Sequence, residues 1–263
     1  GEPGSAGEPG SAGEPGAACE PGSASSITET GSEPELSQAS GRSDQDPAMV
    51  LGRVVQRPGG GFWSHFGVFE FSALQAITEA AVVAGHPVMC NAANMSFRRD
   101  VYLRHADKLR SDLASGDDMF LLAAVMADGG VVRHDGRRAA AAETAAAVTA
   151  AALVRQRTRW ASKAMHIRST PTLTLAAATA ACNAAVAAAT MAAFISAEFI
   201  LPAAVFYIIK AMPDYLLIKT EMKKNGTNLA AGYFIVSEII YPFYFIAVGI
   251  MSLLPGAGRF RGR

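Results

Sequence analysis

Apolar side chains are distributed unevenly along the 263 residues of this chain. Residues 1–47 carry almost no large ones, residues 48–168 mix apolar and polar positions, and the C-terminal region at 169–263 is dominated by apolar side chains over 172–254. A segment without apolar residues cannot bury a core, whereas a run of roughly 20 apolar residues can cross a bilayer as a helix. The pattern therefore predicts a disordered low-complexity tail, a folded region and a transmembrane helical region, in that order.

In the folded region the spacing of apolar positions predicts both helices and short strands. Apolar residues recur at helical spacing from 66 to 84, and Gly85 and Pro87 end that helix. A second helix is expected after Ser115, its N-cap, and a long alanine-rich helix over 143–165. Short strands are expected in MVLGRVV at 49–55, at the start of PVMCNAANMSFRRDVY at 87–102, and in VVRHD at 131–135.

The last part of the chain contains three candidate membrane spans, at 172–195, 197–213 and 229–254. The first holds no charged residue, the second is shorter and reaches Lys210, and the third contains Glu238. A carboxylate at membrane depth is costly and usually faces protein or a water-filled path. We expect the same of Glu238.

The loop between the second and third candidate spans indicates the orientation. It contains Lys219, Lys223 and Lys224, and lysine-rich loops tend to face the cytoplasm. We therefore predict a multi-pass protein of the cell membrane with a cytoplasmic folded region. With three spans, the folded region and the basic C-terminus lie on opposite sides of the membrane, so they cannot both be on the side of this loop. The predicted number of spans therefore stays open by one.

Composition narrows the possible partners. Lys and Arg total 23, as do Asp and Glu, and no long basic run occurs, so nucleic acid is not expected. The three cysteines, Cys19, Cys90 and Cys182, follow neither a disulfide nor a zinc pattern. No signal peptide is expected, because no basic-then-apolar leader follows Gly1.

Glycine recurs at every third position from Gly1 to Gly16, as it does in collagen. The repeat breaks at Cys19, where the next glycine would fall. So few triplets favour a disordered tail, and a collagen-like surface protein with a membrane anchor is kept as an alternative.

Two short motifs carry candidate chemistry. Asp117 and Asp118 precede an apolar helix. Either they cap the helix start, where the helix dipole favours carboxylates, or one of them supplies a general base. In QRTRW at 156–160, Gln156 and Arg159 share a helix face and Trp160 lies beside them. A guanidinium suits a diphosphate and an indole suits a sugar ring. Anchoring at the membrane surface, with Trp160 at the interface and the basic side chains reaching headgroups, is the other interpretation.

QRTRW is the Q-x-x-R-W signature of the membrane-bound family-two glycosyltransferases, so the chain resembles cellulose, chitin and hyaluronan synthases. SGDDMFLL at 115–122 is similar to that family's acidic base motif, and CNAANMSFRRDVY at 90–102 is similar to its acceptor-side loop. The resemblance covers about 48–263. It implies an α/β catalytic region of the nucleotide-diphospho-sugar transferase type, truncated here, followed by transmembrane α-helices.

The resemblance also implies roles for individual residues. Asp118 matches the base that deprotonates the acceptor hydroxyl, and Asp117 holds the neighbouring position of that motif. Arg159 would contact the donor diphosphate, and Gln156 would help to shape that pocket. The residues that would contact the acceptor are Trp160 and, by a looser match, Asn91, Asn94 and Arg98.

The implied reaction is an inverting transfer from a nucleotide-sugar donor to a growing polysaccharide or a lipid acceptor. In this family an Asp-x-Asp motif in the nucleotide-binding half holds Mg²⁺ or Mn²⁺, which stabilises the leaving diphosphate. We expect that half to be missing from this sequence. Asp44-Gln45-Asp46 matches the Asp-x-Asp motif, but it lies in the tail and no predicted strand precedes it. Metal ligands are therefore not expected in this chain, and a non-catalytic membrane-anchored fragment is the alternative function.

Overall fold

The computed structural model of the chain describes residues 46–109, 116–164, 166–167 and 169–254. The glycine repeat, Asp44, Ser115 and the basic C-terminal residues lie outside the described residues. Within the described part the protein is mostly helical, with two small β-sheets and four long apolar helices.

The described elements alternate in the folded region and become purely helical after it. The strands are β1 (Met49–Gly52), β2 (Val54–Arg57), β3 (Met95–Phe97), β4 (Val132–Asp135) and β5 (Ala142–Ala145). The helices are α1 (Phe62–Val83), α2 (Arg99–His105), α3 (Asp117–Ala127), α4 (Ala150–Ala164), α5 (Thr170–Ile195), α6 (Ile200–Lys224) and α7 (Ala231–Ser252).

The segment predicted as one strand at 49–55 forms two strands in different sheets. β1 pairs antiparallel with β3 and parallel with β4, whereas β2 pairs parallel with β5. The change occurs at Arg53, whose side chain is buried and donates to the carbonyl of Gly136 and to Glu221. The first ladder ends at Gly52 and the second begins at Val54, so Arg53 lies between the two strands.

Two other predicted elements differ from the structure. The alanine-rich stretch at 143–165 contains β5 before α4, because Ala142–Ala145 pairs with β2. Those ladder hydrogen bonds outweigh the helix propensity of alanine, which is worth only tenths of a kcal/mol per residue. The strand expected from 87 is absent among the described residues, and the backbone N–H of Cys90 instead donates to the sulfur of Met119.

Helix α1 connects the folded region to the membrane helices. Its Phe66 packs with Leu153 of α4 and with Tyr244 and Val248 of α7. Fully burying such a side chain contributes about 1.5–3 kcal/mol. Phe69 packs in a neighbouring cluster with residues of α6 and α7, which are Ile218, Met222 and Phe234. A separate core beneath β1 and α3 contains Met49, Leu51, Leu121 and Val125.

Four helices are long and apolar enough to cross a membrane, which marks the chain as a membrane protein. Three of them, Thr170–Ile195, Ala197–Lys224 and Ala231–Ser252, confirm the predicted apolar stretches as helices, and the second continues past Pro213 to Lys224. Their most apolar windows are 17%, 11% and 33% buried within the protein. The fourth, Phe62–Val83, has 56% of its window buried, so most of its apolar surface is already covered by protein.

Three charged residues inside α6 and α7 pair with one another. Nζ of Lys210 lies 2.6 Å from a carboxylate oxygen of Glu238 and 2.7 Å from one of Asp214. The expectation that Glu238 faces protein is therefore confirmed.

The C-terminal end of α6 is tied to the folded region. Glu221 pairs with the buried Arg53, and Lys224 lies 3.0 Å from Glu79 of α1. Lys219, Lys223 and Lys224, which were predicted in a loop, are therefore part of α6, and its lysine-rich end lies beside the junction of β1 and β2.

Candidate functional site

The predicted base, Asp118, lies in the first turn of α3 with its carboxylate held by two backbone amides. One carboxylate oxygen accepts a hydrogen bond of 3.1 Å from the N–H of Ala92, and the other accepts one of 2.9 Å from the N–H of Met119. Gly116 precedes the helix with a positive φ of 106°, a conformation that favours glycine. Asp118 is half-buried, whereas Asp117 is exposed. Asp118 therefore joins α3 to the loop that contains Asn91 and Asn94.

Two residues of that loop that were assigned to acceptor binding, Asn91 and Asn94, have side chains that hydrogen-bond to the backbone. Asn91 accepts from the N–H of Ala93 at 3.0 Å and caps a short 3₁₀ turn. The amide nitrogen of Asn94 donates to the carbonyls of Arg53 and Ala140, both at 2.8 Å. These contacts hold the loop in place.

Arg98 lies apart from this loop, on the exposed surface before α2. Its guanidinium donates twice to Asp100, at 2.9 Å and 2.8 Å. Arg98 is thus in an ion pair with its own neighbour, and its acceptor role stays a prediction.

Cys90 lies next to Asp118 and completes the loop's contact with α3. Its sulfur is 3.8 Å from the sulfur of Met119. Burial and the nearby Asp118 carboxylate raise the pKa of the Cys90 thiol well above its ordinary value. Cys90 therefore packs against the core beneath β1 and α3 with its thiolate form disfavoured.

In the QRTRW motif of α4, the buried guanidinium belongs to Arg157. Its Nε donates to Glu70 of α1 at 2.9 Å, and its Nη1 donates to the side-chain oxygen of Gln156 at 3.0 Å. The guanidinium carbon lies 4.3 Å from the ring centre of Trp160, a cation–π contact. Arg157 therefore orients both Gln156 and Trp160, whereas the membrane-anchor interpretation placed it at the headgroups.

Arg159 and Lys163 lie on the side of α4 that approaches α3. A β-carbon placed on Gly116 would lie only 3.2 Å from Cδ of Lys163, so the lysine stem crosses the start of α3. Burial and Arg159 lower the pKa of Lys163, while Asp118 and Asp117 raise it. The acidic motif, the acceptor-side loop and the Q-x-x-R-W helix thus meet at the N-terminus of α3.

The structure does not assemble a metal site from the expected residues. In the ranges that the structure describes, no three His, Cys, Asp or Glu side chains come together as possible ligands. The ammonium of Lys163 beside Asp117 and Asp118 also opposes a divalent cation there. These residues therefore do not fit Mg²⁺ or Mn²⁺.

Sequence reasoning missed two residues of this arrangement. Glu70 is the single carboxylate among the apolar side chains of the first two-thirds of α1, and a lone acid in such a helix signals a buried partner. Lys163 follows Arg159 by four positions, which places both on one face of α4.

No protein-family model, curated protein or solved structure matches this chain.

Proposed function

We propose that the chain is the C-terminal portion of a membrane glycosyltransferase that moves a sugar from a nucleotide-sugar donor to a growing polysaccharide or a lipid acceptor. One observation carries the proposal. Segments that lie up to 70 residues apart in the sequence come together at the start of α3: Ala92 of the 90–102 motif donates to Asp118, and Lys163, three residues beyond the 156–160 motif on the same helix, lies against Gly116. Their convergence supports an α/β catalytic region of which this chain contributes the acceptor side.

The chemistry assigned to the site is a single inverting displacement. The acceptor hydroxyl oxygen forms a bond to the anomeric carbon, the bond from that carbon to the diphosphate oxygen breaks, and the hydroxyl proton passes to the carboxylate of Asp118. The two amides that hold Asp118 fix its orientation before the acceptor arrives. The nucleoside diphosphate leaves with the bonding electron pair, and Arg159 would neutralise its charge.

Trp160 is assigned to the acceptor sugar. Arg157 covers one face of its indole and the ring of Phe71 lies 6.4 Å from it, so a pyranose ring would stack on the part of the indole that both leave open. Because α5 begins ten residues after Trp160, an acceptor bound there would lie close to the membrane helices. This position suits a lipid acceptor or a polymer that leaves through the bilayer.

The cytoplasmic orientation of the catalytic region belongs to the same proposal. The ion pairs of Arg53 with Glu221 and of Glu79 with Lys224 support a location of the lysine-rich end of α6 on the side of the folded region. The positive-inside tendency then places both in the cytoplasm, where nucleotide sugars are available.

Sugar transfer by membranes that contain the whole chain tests the proposal. Labelled UDP-glucose, UDP-N-acetylglucosamine and GDP-mannose are supplied in turn with Mg²⁺ or Mn²⁺, and label is counted in the lipid extract and in the polymer. Asp118→Asn should lower incorporation about 100-fold or more, because general-base catalysis is worth that much. The exposed Asp107→Asn is the matched control. No incorporation from any donor would contradict sugar transfer by this chain and favour the non-catalytic alternative, and incorporation that Asp118→Asn leaves unchanged would contradict the role of Asp118 as the base.

A further inference from the structure

An apolar cleft of about 270 Å³ lies between α3 and the start of α5. Three segments line it, which are the loop after α1, one side of α3 and the residues that lead into α5. The large and small apolar side chains that form its surface include Val88, Met119, Leu122, Ala123, Met126 and Ile167. Of the lining residues that the structure describes, none is a lysine, arginine, aspartate or glutamate, so the cleft suits a hydrocarbon and not a charged group.

One wall of this cleft belongs to the first turn of the membrane helix α5. Pro171 and Thr172 line it, and the hydroxyl of Thr172 donates to the carbonyl of Val88 at 3.2 Å. Most of the apolar surface of α5 is not covered by protein, so the helix that forms this wall is otherwise in contact with lipid. The cleft therefore lies at the boundary of the membrane region, where lipid chains are available.

A second wall of the cleft reaches the predicted base. Met119 lines the cleft, and its backbone N–H donates to the carboxylate of Asp118 at 2.9 Å. The sulfur of Met119 also contacts the sulfur of Cys90 at 3.8 Å. A chain that lies against Met119 thus brings the group at its end close to Asp118. The flexible side chains of Met119 and Met126 adapt to chains of different shape.

The lining excludes a sugar chain as the occupant of the cleft. A polysaccharide carries a hydroxyl on most of its carbons, and a buried hydroxyl without a partner is costly. The described polar side chains on the lining are those of His86, Ser169 and Thr172, and the Thr172 hydroxyl already donates to Val88. Such a surface cannot pair the hydroxyls of a sugar chain, whereas it can cover methylene groups.

We propose that the cleft binds the acyl chain of a lipid acceptor whose headgroup hydroxyl lies at Asp118. The inference rests on the proposed function for the role of Asp118, and it names a hydroxyl-bearing lipid, in place of a polysaccharide, as the acceptor. In the transfer, the headgroup oxygen bonds to the anomeric carbon, its proton passes to Asp118, and the nucleoside diphosphate leaves with the bonding electron pair.

Photo-crosslinking of the whole chain in phosphatidylcholine vesicles tests the inference on the unaltered protein. Two probes carry a diazirine at the same position of one acyl chain: a diacylglycerol, which has a free headgroup hydroxyl, and a phosphatidylcholine, which has none. Crosslinked peptides are identified by mass spectrometry. The diacylglycerol should label residues 86–90 and 119–127 at least about tenfold more than the phosphatidylcholine, the ratio that one hydrogen bond to a carboxylate provides.

The exposed apolar residues Ile208 and Ile209 of α6 serve as the internal control, because ordinary membrane lipid covers them. Both probes should label them equally. Equal labelling of the cleft by the two probes would identify its occupant as ordinary membrane lipid and would overturn the inference. Absence of cleft labelling by the diacylglycerol would overturn it as well.

A variant that fills the cleft gives a second test. Ala123→Phe places a ring among the lining residues and should lower labelling of the cleft by the diacylglycerol at least about tenfold, because each buried methylene that is displaced is worth about fourfold in affinity. Ala80→Phe, at an exposed position of α1 outside the cleft, is the matched control and should be labelled as the wild type is. Undiminished labelling of Ala123→Phe would contradict binding in the cleft.

Sugar-transfer assays with diacylglycerol separate this inference from the proposed function. If both hold, label from the donor appears in the lipid extract, and Ala123→Phe raises the KM for diacylglycerol at least about tenfold while Ala80→Phe leaves it unchanged. Cleft labelling by the diacylglycerol probe without sugar transfer from any donor would sustain the lipid site and reject the glycosyltransferase. Transfer into polymer alone, with the cleft unlabelled, would sustain the glycosyltransferase and overturn the lipid acceptor.

Discussion

Glu70 of α1 accepts a hydrogen bond of 2.9 Å from Nε of Arg157 on α4, and both side chains are largely withdrawn from solvent. Glu70→Gln would leave the buried guanidinium without a countercharge, which costs about 3–5 kcal/mol. We expect a loss of that size in the free energy of unfolding, measured in mixed micelles. Glu143→Gln breaks the exposed pair with Arg57 and should cost less than about 1 kcal/mol. Equal losses in the two variants would contradict this account of the Glu70–Arg157 pair.

The raised pKa of Cys90 predicts slow alkylation. Only the thiolate reacts, so at pH 8 iodoacetamide should modify Cys90 at least about tenfold more slowly than a free cysteine, with the rate increasing as pH rises. Asp118→Asn removes a neighbouring negative charge, which lowers the thiol pKa and should speed the reaction about twofold or more.

Mass spectrometry of a chain with Cys19→Ser and Cys182→Ser isolates this reaction, and Asp107→Asn serves as the control. Alkylation of Cys90 at the rate of a free thiol would show that Asp118 and Cys90 do not meet as described.

An alanine variant of Asn94 tests whether this residue stabilises the fold or contacts the acceptor. Its amide donates to the carbonyls of Arg53 and Ala140, so Asn94→Ala should destabilise the protein by about 2–4 kcal/mol. A lower melting temperature in detergent would report this loss. If Asn94→Ala melts as the wild type does and instead raises the KM for acceptor, the residue contacts substrate.

The intramembrane pair of Lys210 and Glu238 predicts a compensating double variant. Lys210→Met should destabilise the protein by about 3–5 kcal/mol, because it leaves the carboxylate of Glu238 buried without its cation. Adding Glu238→Gln removes the remaining charge and should restore most of the loss. Unfolding in mixed micelles measures both, and a double variant less stable than Lys210→Met would refute the pairing.

Local sequence patterns predicted the helices whose own residues show a helical spacing, an acidic first turn or a long apolar stretch. The apolar spacing before Gly85 predicted α1, the acidic turn at Asp117 predicted the start of α3, and three uninterrupted apolar stretches predicted the membrane helices. Strand β5 was not predictable in this way, because Ala142 becomes a strand residue only through Val54, which lies 88 positions earlier.

The candidate site shows the same division between local and long-range information. Asp118, Gln156 and Trp160 were selected by spacing and resemblance alone. Spacing could not reveal that Arg157 is buried by Glu70, 87 positions away, or that Lys163 lies across the start of α3. Which basic side chain of a helix enters the protein interior depends on the element packed against it.

The contacts of the Arg53 backbone carbonyl and guanidinium have a practical consequence for preparing the protein. Its carbonyl accepts from Asn94, and its guanidinium pairs with Glu221 near the end of α6. A soluble truncation ending before α5 would remove Glu221 and leave that buried guanidinium without its carboxylate partner. It would also remove Tyr244 and Val248, which cover Phe66. Such a fragment should aggregate on expression. Biochemical preparation therefore starts from detergent extraction of the whole chain.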